Sequence, residues 1–585
     1  MKAWKIAAAA ALLAGAYALP AEAQSPACVT TVTTANGGVC GLSVTSGTTP
    51  LVSYRGIPYA APPTGGLRWK VPAAAASWSG VRQATAFGNI CPQMQAGGLN
   101  GNSQSVMVGK EDCLYLNVWT PQTTAGSPTR RPVMVFIHGG AFIEGAGSLP
   151  VYDGSSLSAT GNVVVVTLNY RLGALGFLAA QDAVNAVTIP GSIGLLDQRA
   201  AMSWVQANIA AFGGDPTKVT IFGESAGAMS VGLHLYSAPG STGLFRAAIM
   251  ESNPMAIEYP DTVGEINTNW LSFYKSICSL PGQKCPSQPT LAWLQQLDLA
   301  TVMQAQSAYS KLLRTLDRIL TNGGLAEALP WTPVVDGVTV MDQPYKGYVT
   351  GASAKPLIFG VNANEGALFS DLVYIESGNS LSADKYGALR DALFGVVYST
   401  RIGLYNTGTL LKPVRPYSAY DQTGVPSYFS PAAQALSTLI NDFAFRCGNL
   451  MAQQAVYYQQ KFQGSVPPVY AYLFTQPPLY DTYGAGVPAC TAASGNVCHG
   501  NELPYVFNTL GNNVNPVPAA DAALAQTMGA AWTTFATTLQ APSWTAYSPA
   551  AGAAVRTLGS GPAPASLAAA ANCPNLWANL PPYVN

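Results

Sequence analysis

The chain is 585 residues long, 49% hydrophobic and only 10% charged, with 28 Lys and Arg set against 28 Asp and Glu. Such length and apolar content suffice for a large packed core, and the balanced charge leaves neither a basic field for nucleic acid nor an acidic tail. The 58 Gly and 43 Pro are scattered throughout and cut the apolar runs short, so the low charge does not read as a membrane protein.

The N-terminus has a character of its own. Lys2 and Lys5 lead into an apolar stretch from Ile6 to Leu19, and Ala21-Glu22-Ala23 fits a small-x-small cleavage site. At about 1.5 Å per residue that stretch is too short for a ~30 Å hydrocarbon core. Residues 1–23 therefore read as a signal peptide, and 24–585 as one exported domain, secreted or periplasmic, without a membrane span. Ten cysteines follow the cleavage point, an even number that suits disulfides in an oxidising compartment. No CxxC pair occurs among them to suggest a metal site.

Further along, short apolar runs recur at wide intervals. The first, Val133–Ile137, leads into His138-Gly139-Gly140-Ala141-Phe142, where glycines free backbone N–H groups to point into a site. Val163–Leu168 comes next, then a helical pattern carried by Leu195, Leu196, Met202, Trp204, Val205 and Ile209. Val219–Phe222 runs into Gly223-Glu224-Ser225-Ala226-Gly227 and a helical segment. Between a buried strand and a helix, G-x-S-x-G is the sharp turn that presents a nucleophilic serine above a sheet edge. Ala247–Met250 precedes a mostly helical insertion at about 261–345, after which Leu357–Val361 leads into Asn364-Glu365-Gly366. A helical pattern over 431–462, the run Val469–Phe474 and a helix over 521–540 complete the series. Continuous apolar runs suit strands buried on both faces, and their alternation with helices predicts a single α/β domain.

A serine nucleophile needs a base, and the chain has three histidines. His138 reads as a loop brace. His234, nine residues after Ser225 on the same helix, is ~13 Å away along the axis and cannot reach it. His499, in Cys498-His499-Gly500-Asn501-Glu502, remains. The base in turn needs an acid to hold its tautomer, and chain order in this kind of site runs Ser, acid, His. Glu365 is the first choice. Asp336 (a turn residue in VVDG), Asp371 (the polar start of a segment) and Asp442 are its competitors.

The chain resembles the type B carboxylesterases, the branch of the α/β-hydrolase fold that includes cholinesterases and para-nitrobenzyl-type esterases. The likeness rests on VSYRGIPYAAPP, EDCLYLNVWTP, FIHGGAF, LNYRLGALGFL, GLLDQRAAMSWVQANIAAFGGDPTKVTIFGESAGAMSV, GVNANEGALF and HGNELPYVF, which run from about residue 50 to beyond 500. It implies a large, mostly parallel, twisted central sheet flanked by helices, with helical insertions over the active site. It also implies Ser225 as nucleophile, His499 as base and Glu365 as acid, with oxyanion donors from the N–H groups of Gly140, Ala141 and Ala226. Ser252 and Asp442 match positions beside the triad in related enzymes, and read equally as ordinary buried polar residues. Leu329 and Trp331 match acyl-pocket positions, and a core Trp is an equal reading. Two family disulfides match Cys91–Cys113 and Cys278–Cys285, and Cys447–Cys573 resembles the cholinesterase bridge to the C-terminal region. Cys28–Cys40, around an Asn36-Gly37-Gly38 hairpin, and Cys490–Cys498 follow by proximity.

The segment from Cys91 to Cys113 departs from the pattern. It has no Trp where cholinesterases place one for their cation, and it lacks the apolar face of a lipase lid. The expectation is hydrolysis of small-molecule carboxylic esters through an acyl-enzyme, without metal or organic cofactor. Other acyl bonds (lipid ester, amide, carbamate) are the alternative on the same triad. A non-catalytic binding protein of this fold is less expected, because such relatives lose a triad member and all three are present here. The sequence does not fix an oligomeric state.

Overall fold

The computed structural model describes residues 28–95, 106–122, 130–309, 329–376, 380–393, 429–548, 554–561 and Cys573, less 183, 186–187, 345, 348–354, 463, 465–466 and 484–486. The expected signal peptide lies outside them.

A twelve-stranded sheet forms the centre of the described residues. Its strands are β1 (Cys28–Thr34), β2 (Gly37–Ser46), β3 (Thr49–Pro58), β4 (Val81–Gln83), β5 (Tyr115–Pro121) and β6 (Arg131–Ile137), then β7 (Val164–Leu168), β8 (Gly214–Glu224), β9 (Ala247–Glu251), β10 (Leu357–Asn362), β11 (Val469–Phe474) and β12 (Arg556–Leu558). Their order is β1-β2-β3-β5-β7-β6-β8-β9-β10-β11-β12, with β4 beside β2. From β1 to β7 that path is antiparallel, apart from β4, and from β7 onwards it is parallel.

Both faces of the parallel half are covered, and alternation along each strand divides the core. Val133, Val135, Ile137 and Ile221 join one apolar cluster, while Met134, Phe136 and Phe222 join the other with Trp532. On the first side lie α1 (Ile193–Asn208) and α2 (Ala226–Tyr236). On the second lies α6 (Ala519–Thr538). Between α2 and α6 in the sequence come α3 (Glu365–Glu376), α4 (Pro431–Ile440) and α5 (Gly448–Phe462). Ser430 caps α4 by accepting from Ala433 N, and Pro431 fills the first turn, where a missing N–H costs nothing. The loop after β7 is pinned to α1 by a buried two-pronged ion pair from Arg171 to Asp197, at 2.8 and 2.7 Å.

All ten cysteines are paired: Cys28–Cys40, Cys91–Cys113, Cys278–Cys285, Cys447–Cys573 and Cys490–Cys498. The parallel strands end together at one edge, and the loops from β6, β8, β9 and β10 meet there with the segment around His499.

Candidate active site

Ser225 sits at the turn between β8 and α2 with φ 56° and ψ −123°, a conformation a side chain tolerates only under constraint. The constraint is visible on either side of it. A Cβ on Gly223 would lie 2.6 Å from Ile137 O, and one on Gly227 only 2.0 Å from the same atom. The two glycines thus let β8 and α2 close on β6. Ser225 N donates to Glu251 O at 3.0 Å, which ties the turn to β9.

Positive φ recurs around this turn, at Ala141 (52°), Phe142 (61°) and Ser252 (52°). In the loop after β6, Ile143 N and Glu144 N both donate to Gly140 O. Among the described residues, the N–H groups of Gly140, Ala141 and Ala226 donate to no backbone acceptor, so three donors stand free beside Ser225. Ala226 opens α2, where the first N–H groups lack helical partners in any case.

Glu365 opens α3 and is fully buried. One of its oxygens accepts from Asn362 N at 2.6 Å, and the other lies 2.6 Å from His499 Nδ1. Asn501 holds the loop of His499 by accepting from Cys498 N, and Asn362 Nδ2 donates to Cys498 O. The imidazole packs against Phe369 and Phe445, at 5.2 and 5.3 Å between centroids. Its other nitrogen, Nε2, makes no hydrogen bond, although Glu224 Oε1 stands 3.2 Å away.

Burial pulls the His499 pKa down, but Glu224 and Glu365 outweigh it and raise the imidazole to about 9. Burial in turn raises Glu224 to about 8 and Glu502 to about 7. Four buried glutamates thus gather around one imidazole, and Glu251 is also pushed well up by burial.

The other candidate residues have different surroundings. His138 is buried, with Nδ1 2.8 Å from Gly139 O and its ring stacked on Tyr170, and burial lowers it to about 4. His234 bridges Ser241 Oγ and Gln198 Oε1 beneath α2. Asp336 accepts three turn N–H groups, from Val338, Thr339 and Val340. Asp371 is not the start of a segment: it lies inside α3, buried, and accepts from Ala489 N at 2.8 Å. Asp442 pairs with Arg446. Ser252 donates to Glu502 Oε1 at 3.2 Å. Leu329 is half-buried, and Trp331 is fully buried and edge-on to Phe273. Residues 96–105 of the Cys91–Cys113 segment lie outside the described residues.

Sequence reasoning missed Glu224, Glu502 and Asn362. Glu224 is the unconstrained x of G-x-S-x-G. Glu502 and Asn362 stand within three residues of His499 and Glu365 respectively, and a search for charged or amide neighbours of those motifs would have found both.

The profile of the Carboxylesterase family matches residues 29–557. The chain is similar to the fumonisin B1 esterase of Sphingopyxis macrogoltabida, 33% identical over 539 residues, covering 89% of this chain and 84% of the relative. It is also 34% identical over 507 residues to the para-nitrobenzyl esterase of Bacillus subtilis (strain 168), covering 84% of this chain and 88% of the relative. A solved PNB esterase superposes with TM-score 0.68 at 32% identity, over 90% of this chain and 96% of that one.

Proposed function

The chain belongs to the carboxylesterase family, and from that premise we propose that it is an exported serine esterase whose triad is Ser225, His499 and Glu365. The observation that carries this reading is the convergence of the strained Ser225 turn with a buried His499–Glu365 pair at 2.6 Å. In the proposed cycle, Ser225 Oγ attacks the ester carbonyl as His499 Nε2 takes its proton. Glu365 stabilises the imidazolium through Nδ1. The oxyanion is held by the N–H groups of Gly140, Ala141 and Ala226. The tetrahedral adduct expels the alcohol, which takes its proton from Nε2, and water resolves the acyl-enzyme by the same route. The missing Ser225–His499 hydrogen bond is compatible with this, since such contacts often tighten only when substrate binds.

Esterase relatives and the five disulfides support ester hydrolysis and an oxidising compartment. One experiment tests chemistry and export together. The full-length chain is expressed, treated with a fluorophosphonate and weighed intact. The expected species begins at Gln24 and carries one phosphonate on Ser225. Ser225→Ala should take no label and lose about three or more decades of kcat. Labelling at Ser252, or full activity in the alanine variant, would overturn the triad. An uncleaved N-terminus on exported protein would overturn the leader.

A further inference from the structure

One carboxyl beside the site has no part in the cycle above. Glu144 lies in the loop after β6, folded back so that its Cγ is only 3.0 Å from where a Cβ on Gly140 would be. Its stem therefore crosses the residue proposed as an oxyanion donor. The side chain keeps partial contact with solvent. Among the described residues it forms no ion pair, and burial raises its carboxyl to about 8.

The proton path identifies which side of the site this is. His499 Nε2 returns its proton to the leaving alcohol, so the alcohol must lie next to Nε2. Glu224 Oε1 is 3.2 Å from that nitrogen. The same carboxylate reaches under the loop that carries Glu144, for a Cβ on Gly139 would lie 2.7 Å from Glu224 Oε2. Glu224 and Glu144 both act on the phenol of Tyr152, after its burial. The alcohol's exit is thus flanked by two carboxyls. Glu224 Oε1 is itself buried and without a hydrogen bond, and the cation within ion-pair reach of Glu224, among the described residues, is His499.

We infer that Glu144 makes the site select esters whose leaving alcohol carries a hydrogen-bonding cation, such as a guanidinium or primary ammonium, and disfavour anionic alcohols. This rests on the proposed triad and deepens it. A quaternary ammonium is a poorer match, because it has no N–H to give a carboxylate and draws instead on aromatic faces. The segment from Cys91 to Cys113 supplies no Trp for that purpose.

The test uses three butyrate esters of similar shape, 3-guanidinopropyl, 5-methylhexyl and 4-carboxybutyl, assayed at pH 9 with the wild-type chain, Glu144→Gln and Glu144→Lys. Ratios of kcat/KM between esters within one preparation cancel any loss of folded enzyme. Wild type should favour the guanidinium ester over the neutral one by roughly tenfold, the size of one charge-assisted hydrogen bond near water, and the neutral over the anionic ester in the same sense. Glu144→Gln should bring both ratios towards one, and Glu144→Lys should invert them. Brisk hydrolysis with flat wild-type ratios, or ratios that Glu144→Gln leaves unchanged, overturns the role of Glu144 alone. Failure of the wild type to cleave even the neutral ester overturns the esterase reading with it.

Discussion

The base in this site works only when unprotonated, and its neighbours set the pH at which that happens. Burial works against the charged imidazole of His499, but Glu224 and Glu365 reverse the balance and raise it to about 9. A raised base pKa moves the acid limb of kcat/KM above the ordinary histidine value of ~6.5. Glu224→Gln removes the carboxylate nearest Nε2, so the limb should shift to lower pH and the variant should hold its activity further into acid. A pH–rate profile reads this directly, and an acid limb that stays put or moves upward would refute it. Because Glu224 is itself raised by burial, the two groups titrate as a pair, and the profile reports the pair rather than either residue. Ser225, His499 and Glu365 were legible from local motifs and chain order, since each directly follows a strand or opens a helix. Glu224 was not, because the x of G-x-S-x-G is unconstrained by the turn it occupies. Nor was the exposed edge of Glu144, which depends on a loop folding back on itself.

At the scale of elements, periodicity over 431–462 predicts one helix, and the structure interrupts it. Between α4 and α5 the backbone takes a π-helical course over Asn441–Cys447. The wider turn breaks the 3.6-residue rhythm without any Pro or Gly to announce it, so the pattern alone cannot reveal it. The interruption has a place in the site, for it carries Phe445 against His499 and Asp442 to Arg446. The preceding turn of α4 also meets the start of α3 closely: a Cβ on Gly366 would lie 2.0 Å from Ser437 O. Gly366→Ala should therefore force α3 and α4 apart, at a cost of about 1–3 kcal/mol or more. Glu365, one residue earlier, would move with α3, so kcat should fall along with stability. Chemical denaturation and steady-state kinetics check both effects. An unchanged denaturation midpoint would mean the two helices are not held at this contact.

Across the whole molecule, the parallel half of the sheet was legible and the antiparallel half was not. Strands β6 to β11 are buried on both faces, and their cores read as continuous apolar runs that nothing else in the chain imitates. Strand β1, CVTTVTT, alternates exposed and half-buried positions and is built largely of Thr, so apolar content gives it no signal. It is found only through its hairpin with β2. The molecule's surface bears on its substrate in a similar way. An enzyme that works at a lipid interface needs an apolar face to open against it. Over the described parts of the Cys91–Cys113 segment, the exposed large apolar side chains are Val106 and Met107, far from a patch of a few hundred Å². The rest of the segment is rich in Gly, Asn and Ser. Hydrolysis of tributyrin should consequently saturate while the ester is still dissolved, with no jump in rate as droplets form. Rate is measured against concentration through the solubility limit. A steep rise at that limit would point to an interfacial lid, with the helical insertion between β9 and β10 as the first place to look for it, since Val263, Leu271, Val338 and Met341 are exposed there.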